Sequence, residues 1–141
     1  MPGLESIQDL EGLRLLLEKE TFTEDKKRMR ICTGTACLAS GAKQVAEMIE
    51  TQIKEEGVDL EVVKTGCQGL CQKGPLIQLE PSGYFYQRVK PADSPSIVVN
   101  ASSSSAPPIR HLLYKDPVTS QHYERLDSID FYKKQLSLIH I

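Results

Sequence analysis

Apolar residues along the 141-residue chain recur with two different periods. Leu4, Ile7, Leu10, Leu13 and Leu17 return every three or four positions, which predicts an amphipathic helix over roughly residues 4–20. In "KKRMRICTG", Met29 and Ile31 are the inward positions of a short strand. The small-residue stretch "TGTACLASGAK" predicts a loop. Leu38, Ala42, Val45, Ile49 and Ile53 then share one helical face, and Gly57 supplies the stop. "DLEVVKTG" alternates through Leu60 and Val62 and predicts a second strand. "PLIQLEPSGYFYQRV" has the form of a β-hairpin turning at "PSG". A further short helix is expected to start near Pro95.

The predicted order is helix, strand, helix, strand, loop, strand, strand. The first two strands and the helix between them make a βαβ-like crossover. The fold class is therefore α/β, a mixed sheet with helices packed on it. "SSSSAPP" (102–108) is a linker by composition. "IRHLLYKDP" fits a short helix or strand, and "LDSIDFYKKQLSLIHI" fits a helix capped by Asp127 or Ser128. That last helix stays apolar to the final residue, which fits either a piece of a longer protein or a terminal helix docked on its own domain.

Composition narrows the function. With 17 Lys and Arg against 19 Asp and Glu, the formal charge is −2, which argues against nucleic acid or an anionic membrane as partner. No apolar run approaches a membrane span, and the acidic N-terminus lacks the features of a secretory signal. A cytoplasmic protein is expected, where thiols stay reduced.

That matters because there are 4 cysteines, in two pairs: Cys32-x4-Cys37 and Cys67-x3-Cys71. Each pair follows a predicted strand, and a βαβ crossover brings both turns to the same sheet edge. Zinc, disulfide or thiol chemistry, and an iron–sulfur cluster all use converging thiolates. Small residues surround both pairs: Thr33, Gly34, Thr35 and Ala36 in one, Gly66, Gly69 and Gly74 in the other. They let backbone amides approach cluster sulfides, a need that a zinc knuckle has less of. A [2Fe–2S] core with four thiolates carries a formal charge of about −2 when oxidised, so it calls for such donors. Cys37 near a helix start, and Lys64 and Lys73 beside the second pair, are candidate sources of positive field. The residues favour an iron–sulfur cluster and leave zinc and thiol chemistry open.

The pattern C-x4-C … C-x-G-x-C-x-x-G-P, followed by an aromatic hairpin and V-x-P, resembles the thioredoxin-like [2Fe–2S] ferredoxins. Its carriers here are Cys32, Cys37, Cys67, Gly69, Cys71, Gly74, Pro75, Tyr84 or Tyr86, Val89 and Pro91. The resemblance covers roughly residues 25–105. It implies a thioredoxin-like fold, a mixed four- to five-stranded sheet flanked by helices. It also implies one [2Fe–2S] cluster ligated by Cys32, Cys37, Cys67 and Cys71, carrying one electron at a time. Residues 1–24 are then an N-terminal helical extension. In residues 106–141, "SIDFYKKQ" is similar to the stretch that opens the flavin- and NADH-binding domain of complex I-like proteins, electron-bifurcating hydrogenases and formate dehydrogenases. The resemblance implies a linker and the start of a truncated flavoprotein domain. The implied partners are sister redox subunits of a multisubunit NAD(P)-linked complex, or a second copy of the isolated domain. No glycine-rich dinucleotide loop is present to give this chain nicotinamide chemistry itself.

Other features have plainer expectations. Neither cysteine pair has the Cys-x-x-Cys spacing of a thiol oxidoreductase. His111, His122 and His140 are not expected as ligands. Tyr84, Phe85 and Tyr86 are expected to alternate between core and surface. Lys26, Lys27, Arg28 and Arg30 are expected along a solvated strand edge.

Overall fold

A computed structural model describes residue 3, residues 6–21 and residues 26–139. Leu4 and His140 lie outside the described residues. Helix α1 spans Ile7–Thr21. It starts with a capping box: the Asp9 amide donates to Ser6 Oγ (3.1 Å), and the Ser6 amide donates to Asp9 Oδ2 (3.0 Å). Its leucines do not join the core. Ile7 is 77% exposed, Leu10 55% and Leu16 56%.

The sheet is built from β1 (Arg28–Cys32), β2 (Glu61–Thr65), β3 (Ile77–Glu80) and β4 (Phe85–Tyr86), in the order β2-β1-β3-β4. β1 and β2 run parallel, with Met29 beside Val62 and Cys32 beside Thr65. β3 is antiparallel to β1, and β4 to β3. The predicted crossover and hairpin are therefore both present. Helix α3 (Ala42–Glu56) makes the crossover and buries Ala42, Val45, Ala46 and Ile49. It ends at Gly57 in the left-handed region (φ 62°), where the Val58 amide reaches the Ile53 carbonyl. Helix α4 (Ser94–Ser102) packs Ile97 and Val98 into the same core as Met29, Ile31, Ile49 and Tyr86.

Three expectations change. First, the helical face running from Leu38 is broken. A short α2 (Thr35–Ala39) is followed by Gly41 at φ 99°, and only then does α3 begin. Leu38 is left 44% exposed, while Cys37 turns inward. Second, the basic run is not a solvated edge, because β1 lies between β2 and β3. Interior position demands partners for its charges. Arg28 meets Glu61 at 2.8 Å, Lys26 reaches the same carboxylate at 3.0 Å, and Arg30 meets Glu80 at 2.8 Å. Lys27 donates to the Ser102 carbonyl.

Third, Phe85 and Tyr86 do not alternate between core and surface, since both are 0% exposed. The sheet is covered on both faces here. Tyr86 enters the α3–α4 core, and Phe85 enters a second cluster with Leu76, Tyr114 and Ile129. The second cover comes from the C-terminal segment. It contains the β5–β6 ribbon (Tyr114–Lys115 and His122–Tyr123) and helix α5 (Asp130–Ile139). The Gln87 and Phe85 amides each donate at 2.8 Å, to the Leu112 and Glu124 carbonyls, so the short β4 edge is not left open. The serine-rich stretch is also tied down. Tyr84 Oη donates to the Ala106 carbonyl (3.2 Å), and Asn100 Nδ2 donates to the Pro107 carbonyl (2.7 Å). No described helix is long and apolar enough to cross a membrane.

Tyr86 joins these layers. Its buried hydroxyl donates to Asn100 Oδ1 (2.8 Å) and accepts from the Ile109 amide (3.2 Å). Tyr86→Phe keeps the ring and orphans both partners. Stability in urea is expected to fall by about 1–3 kcal/mol, the cost of unsatisfied buried polar groups. An unchanged urea midpoint would show that water replaces the hydroxyl at no cost.

Candidate metal centre

The parallel register of β1 and β2 sends both cysteine loops off the same end of the sheet. Cys32 is the last residue of β1, and Cys37 is the third residue of α2. Both are 1% exposed. Cys67 lies in the loop after β2, and Cys71 opens a 3-10 turn (Cys71–Lys73); both are exposed.

The two loops interlock through glycines. A Cβ on Gly34, in the first loop, would stand 3.2 Å from Cys67 Cβ. A Cβ on Gly74, in the second, would stand 2.8 Å from Cys37 Sγ. Each loop thus leaves out a side chain where the other places a cysteine. Gly69 has a different role: at φ 83° it occupies the left-handed region and turns its amide onto Cys67 Sγ, at 3.3 Å. Gly66 makes no such contact with the other loop: a Cβ there meets no protein atom within 4 Å. Its carbonyl instead accepts from Cys32 Sγ at 3.5 Å.

The sulfurs form two pairs. Cys67 Sγ and Cys71 Sγ are 3.3 Å apart, and Cys32 acts on the Cys37 thiol. Gly34 against Cys67 and Gly74 against Cys37 bring the two pairs together, and charge on each pair acts on the other. Among the described residues, no three His, Cys, Asp or Glu gather as ligands around one ion. Two pairs sharing a space is the donor set that a binuclear core requires, with two ligands on each iron. The backbone donors fit it as well. The Leu76 amide faces the Cys37 sulfur and lowers that thiol, and the Gly69 amide donates to the Cys67 sulfur.

The thiols differ in readiness to ionise. Burial, reinforced by Cys32, pushes Cys37 up to about 12. The Gly69 amide, followed by the Cys71 thiol, lowers Cys67, while Cys67 raises Cys71. Of the candidate field sources, Lys64 is occupied by Glu50 at 3.4 Å, and Lys73 acts on Asp116. His111 faces Asp93 (3.8 Å), and His122 lies on β6. The Leu76 donor was not anticipated. Its amide becomes available because Gly74-Pro75 carries the chain past Cys37 before β3 begins, and no residue type marks such a donor in sequence.

This arrangement fits an iron–sulfur protein on a mixed α/β sheet. The family model for the thioredoxin-like [2Fe–2S] ferredoxins matches residues 20–102, more than half of the chain, and the protein belongs to that family. It is 26% identical over 113 residues to a Priestia megaterium protein whose name suggests a 2Fe-2S ferredoxin, covering 77% of this chain and 89% of that one. It is 26% identical over 83 residues to a 2Fe-2S ferredoxin of Aquifex aeolicus (strain VF5), covering 57% of this chain and 75% of that one. The crystal structure of the wild-type thioredoxin-like [2Fe-2S] ferredoxin from Aquifex aeolicus superimposes with a TM-score of 0.55 at 23% identity, covering 64% of this chain and 97% of that one. The cofactor is one [2Fe–2S] cluster, and the protein is an iron–sulfur electron carrier.

The glycine interlock yields a paired prediction. Gly74→Ala drives a methyl into Cys37 Sγ and is expected to remove most of the bound iron, read as iron per chain after anaerobic reconstitution. Gly66→Ala, with open space around it, is expected to keep wild-type iron. Equal iron in the two variants would show that the Gly74–Cys37 contact does not shape the site.

Proposed function

We propose that Cys32, Cys37, Cys67 and Cys71 ligate the cluster, and that the chain relays single electrons within a multisubunit NAD(P)-linked hydrogenase or dehydrogenase complex. The observation that carries the ligand assignment is the interlocked pair of sulfur pairs, with amides aimed at Cys37 and Cys67. When bound, a [2Fe–2S] cluster takes up and returns one electron at a time. The chain's part is to hold it and to set its surroundings. The buried thiolates exclude water from one side. The Leu76 and Gly69 amides offset the negative charge that an added electron brings. Gly34 and Gly74 keep the space between the loops free of side chains.

The wider setting is supported by the likeness of "SIDFYKKQ" to the opening of a flavoprotein domain. Sister redox subunits in the cytoplasm are the proposed partners. The leucine-bearing, solvent-facing α1 offers them a surface.

Two measurements test this. The dithionite-reduced protein is expected to give the electron paramagnetic resonance signal of one unpaired electron per two irons, and Cys71→Ala to lose it. A colourless protein holding stoichiometric zinc, or a Cys71→Ala variant with full cluster, would sink the ligand assignment. The isolated chain is expected to stay oxidised with NADH, and to be reduced once a flavoprotein bearing an NADH site is added. Reduction by NADH alone would place nicotinamide chemistry on this chain and overturn the relay.

A further inference from the structure

One side chain outside the matched family region reaches the second cysteine loop. Tyr132, on α5, donates its hydroxyl to the Gln68 carbonyl. Its oxygen stands 3.4 Å from where a Cβ on Gly69 would lie. The carbonyl it holds and the Gly69 amide belong to one peptide unit, and that amide donates to Cys67 Sγ at 3.3 Å. A phenol, a peptide and a cysteine sulfur are thus connected in series. Tyr132 is held in place by its own surroundings. It packs on the cluster formed by Cys32, Cys37, Phe85, Tyr114 and Ile129. Burial, followed by charge on Cys67, keeps the phenol protonated, so it remains a donor.

Hydrogen bonds in series polarise one another. Donation to a carbonyl oxygen draws electron density through the amide and makes its N–H a stronger donor. The contact also fixes the rotation of the peptide at Gly69, the one residue of the loop in the left-handed region. A stronger, better-aimed N–H···S bond favours the more negative, reduced state of a cluster.

We propose that Tyr132 is a positioning residue for the cluster: through the Gln68–Gly69 peptide it aims and strengthens the amide on Cys67 Sγ, and so raises the reduction potential. This rests on Cys67 being a ligand. It gives the C-terminal segment, which lies beyond the matched residues 20–102, a part in setting the redox property of the domain.

The test is a redox titration of the full chain followed by visible absorption, for wild type, Tyr132→Phe and Phe131→Ala. Tyr132→Phe keeps the ring and removes only the donor. At a fixed ambient potential its reduced-to-oxidised ratio is expected to fall at least about twofold, a downward shift of about 18 mV for a one-electron couple. Electron–nuclear double resonance is expected to show a weaker coupling to the exchangeable amide proton near Cys67. Phe131→Ala, whose ring is 61% exposed, is expected to leave both readouts at wild type. A Tyr132→Phe variant with wild-type potential and coupling overturns the inference, whatever its stability. An equal shift in Phe131→Ala also overturns it, by assigning the effect to α5 as a whole. A wild-type chain without a [2Fe–2S] signal overturns the ligand assignment and this inference together; an unshifted variant of a cluster-bearing chain overturns this inference alone.

Discussion

The parallel pairing of β1 and β2, with Cys32 beside Thr65, is the constraint on which the site depends. Parallel neighbours need a crossover, and α3 supplies it with an apolar face of Val45, Ala46 and Ile49. Because the strands point the same way, their following loops leave the sheet together. Slipping the register by one residue would move Met29 and Ile31 out of the core and Cys32 away from the second loop at once. Core packing and site geometry are therefore secured by the same hydrophobic pattern. The cysteines add little to the choice of fold. They inherit a location that apolar burial has already selected.

Covering the second face of the sheet has a cost and a benefit. Phe85, Leu76 and Cys32 are shielded only because the chain doubles back after residue 108 and lays Tyr114 and Ile129 over them. That ordering costs conformational entropy, roughly 1–2 kcal/mol of backbone freedom per residue fixed. It is offset by apolar burial and by backbone hydrogen bonds from β4 to Leu112 and Glu124. The benefit is a dry wall behind the buried pair of thiols. It also gives the short β4 strand neighbours on its outer side.

Much of the domain was legible in the chain. The period-two pair Met29 and Ile31, the helical spacing of Val45 and Ile49, and Gly57 as a stop mark elements found in place. So does the turn at Pro81-Ser82-Gly83. The glycine-flanked cysteine pairs marked two loops that the structure brings together. What was hidden depended on tertiary context. Gly41 looked like one small residue among many, yet its left-handed conformation splits the helix and lets Cys37 face inward. The basic run looked exposed because charge usually is, and Lys26 is, but Glu61 gives Arg28 a buried place within the sheet. Tyr132 lies 61 residues beyond Cys71 in sequence and carries no local mark of its contact with Gln68.

The unequal burial of the four thiols gives the site a front and a back. Cys32 and Cys37 are closed off, and Cys67 and Cys71 open to the surface. Electron tunnelling weakens steeply with distance through protein, so arrival and departure both favour the thinnest wall. A carrier with one such window meets donor and acceptor at the same doorway. Any two partners of such a carrier would take turns there, and the interval between their visits would become part of the rate at which current flows.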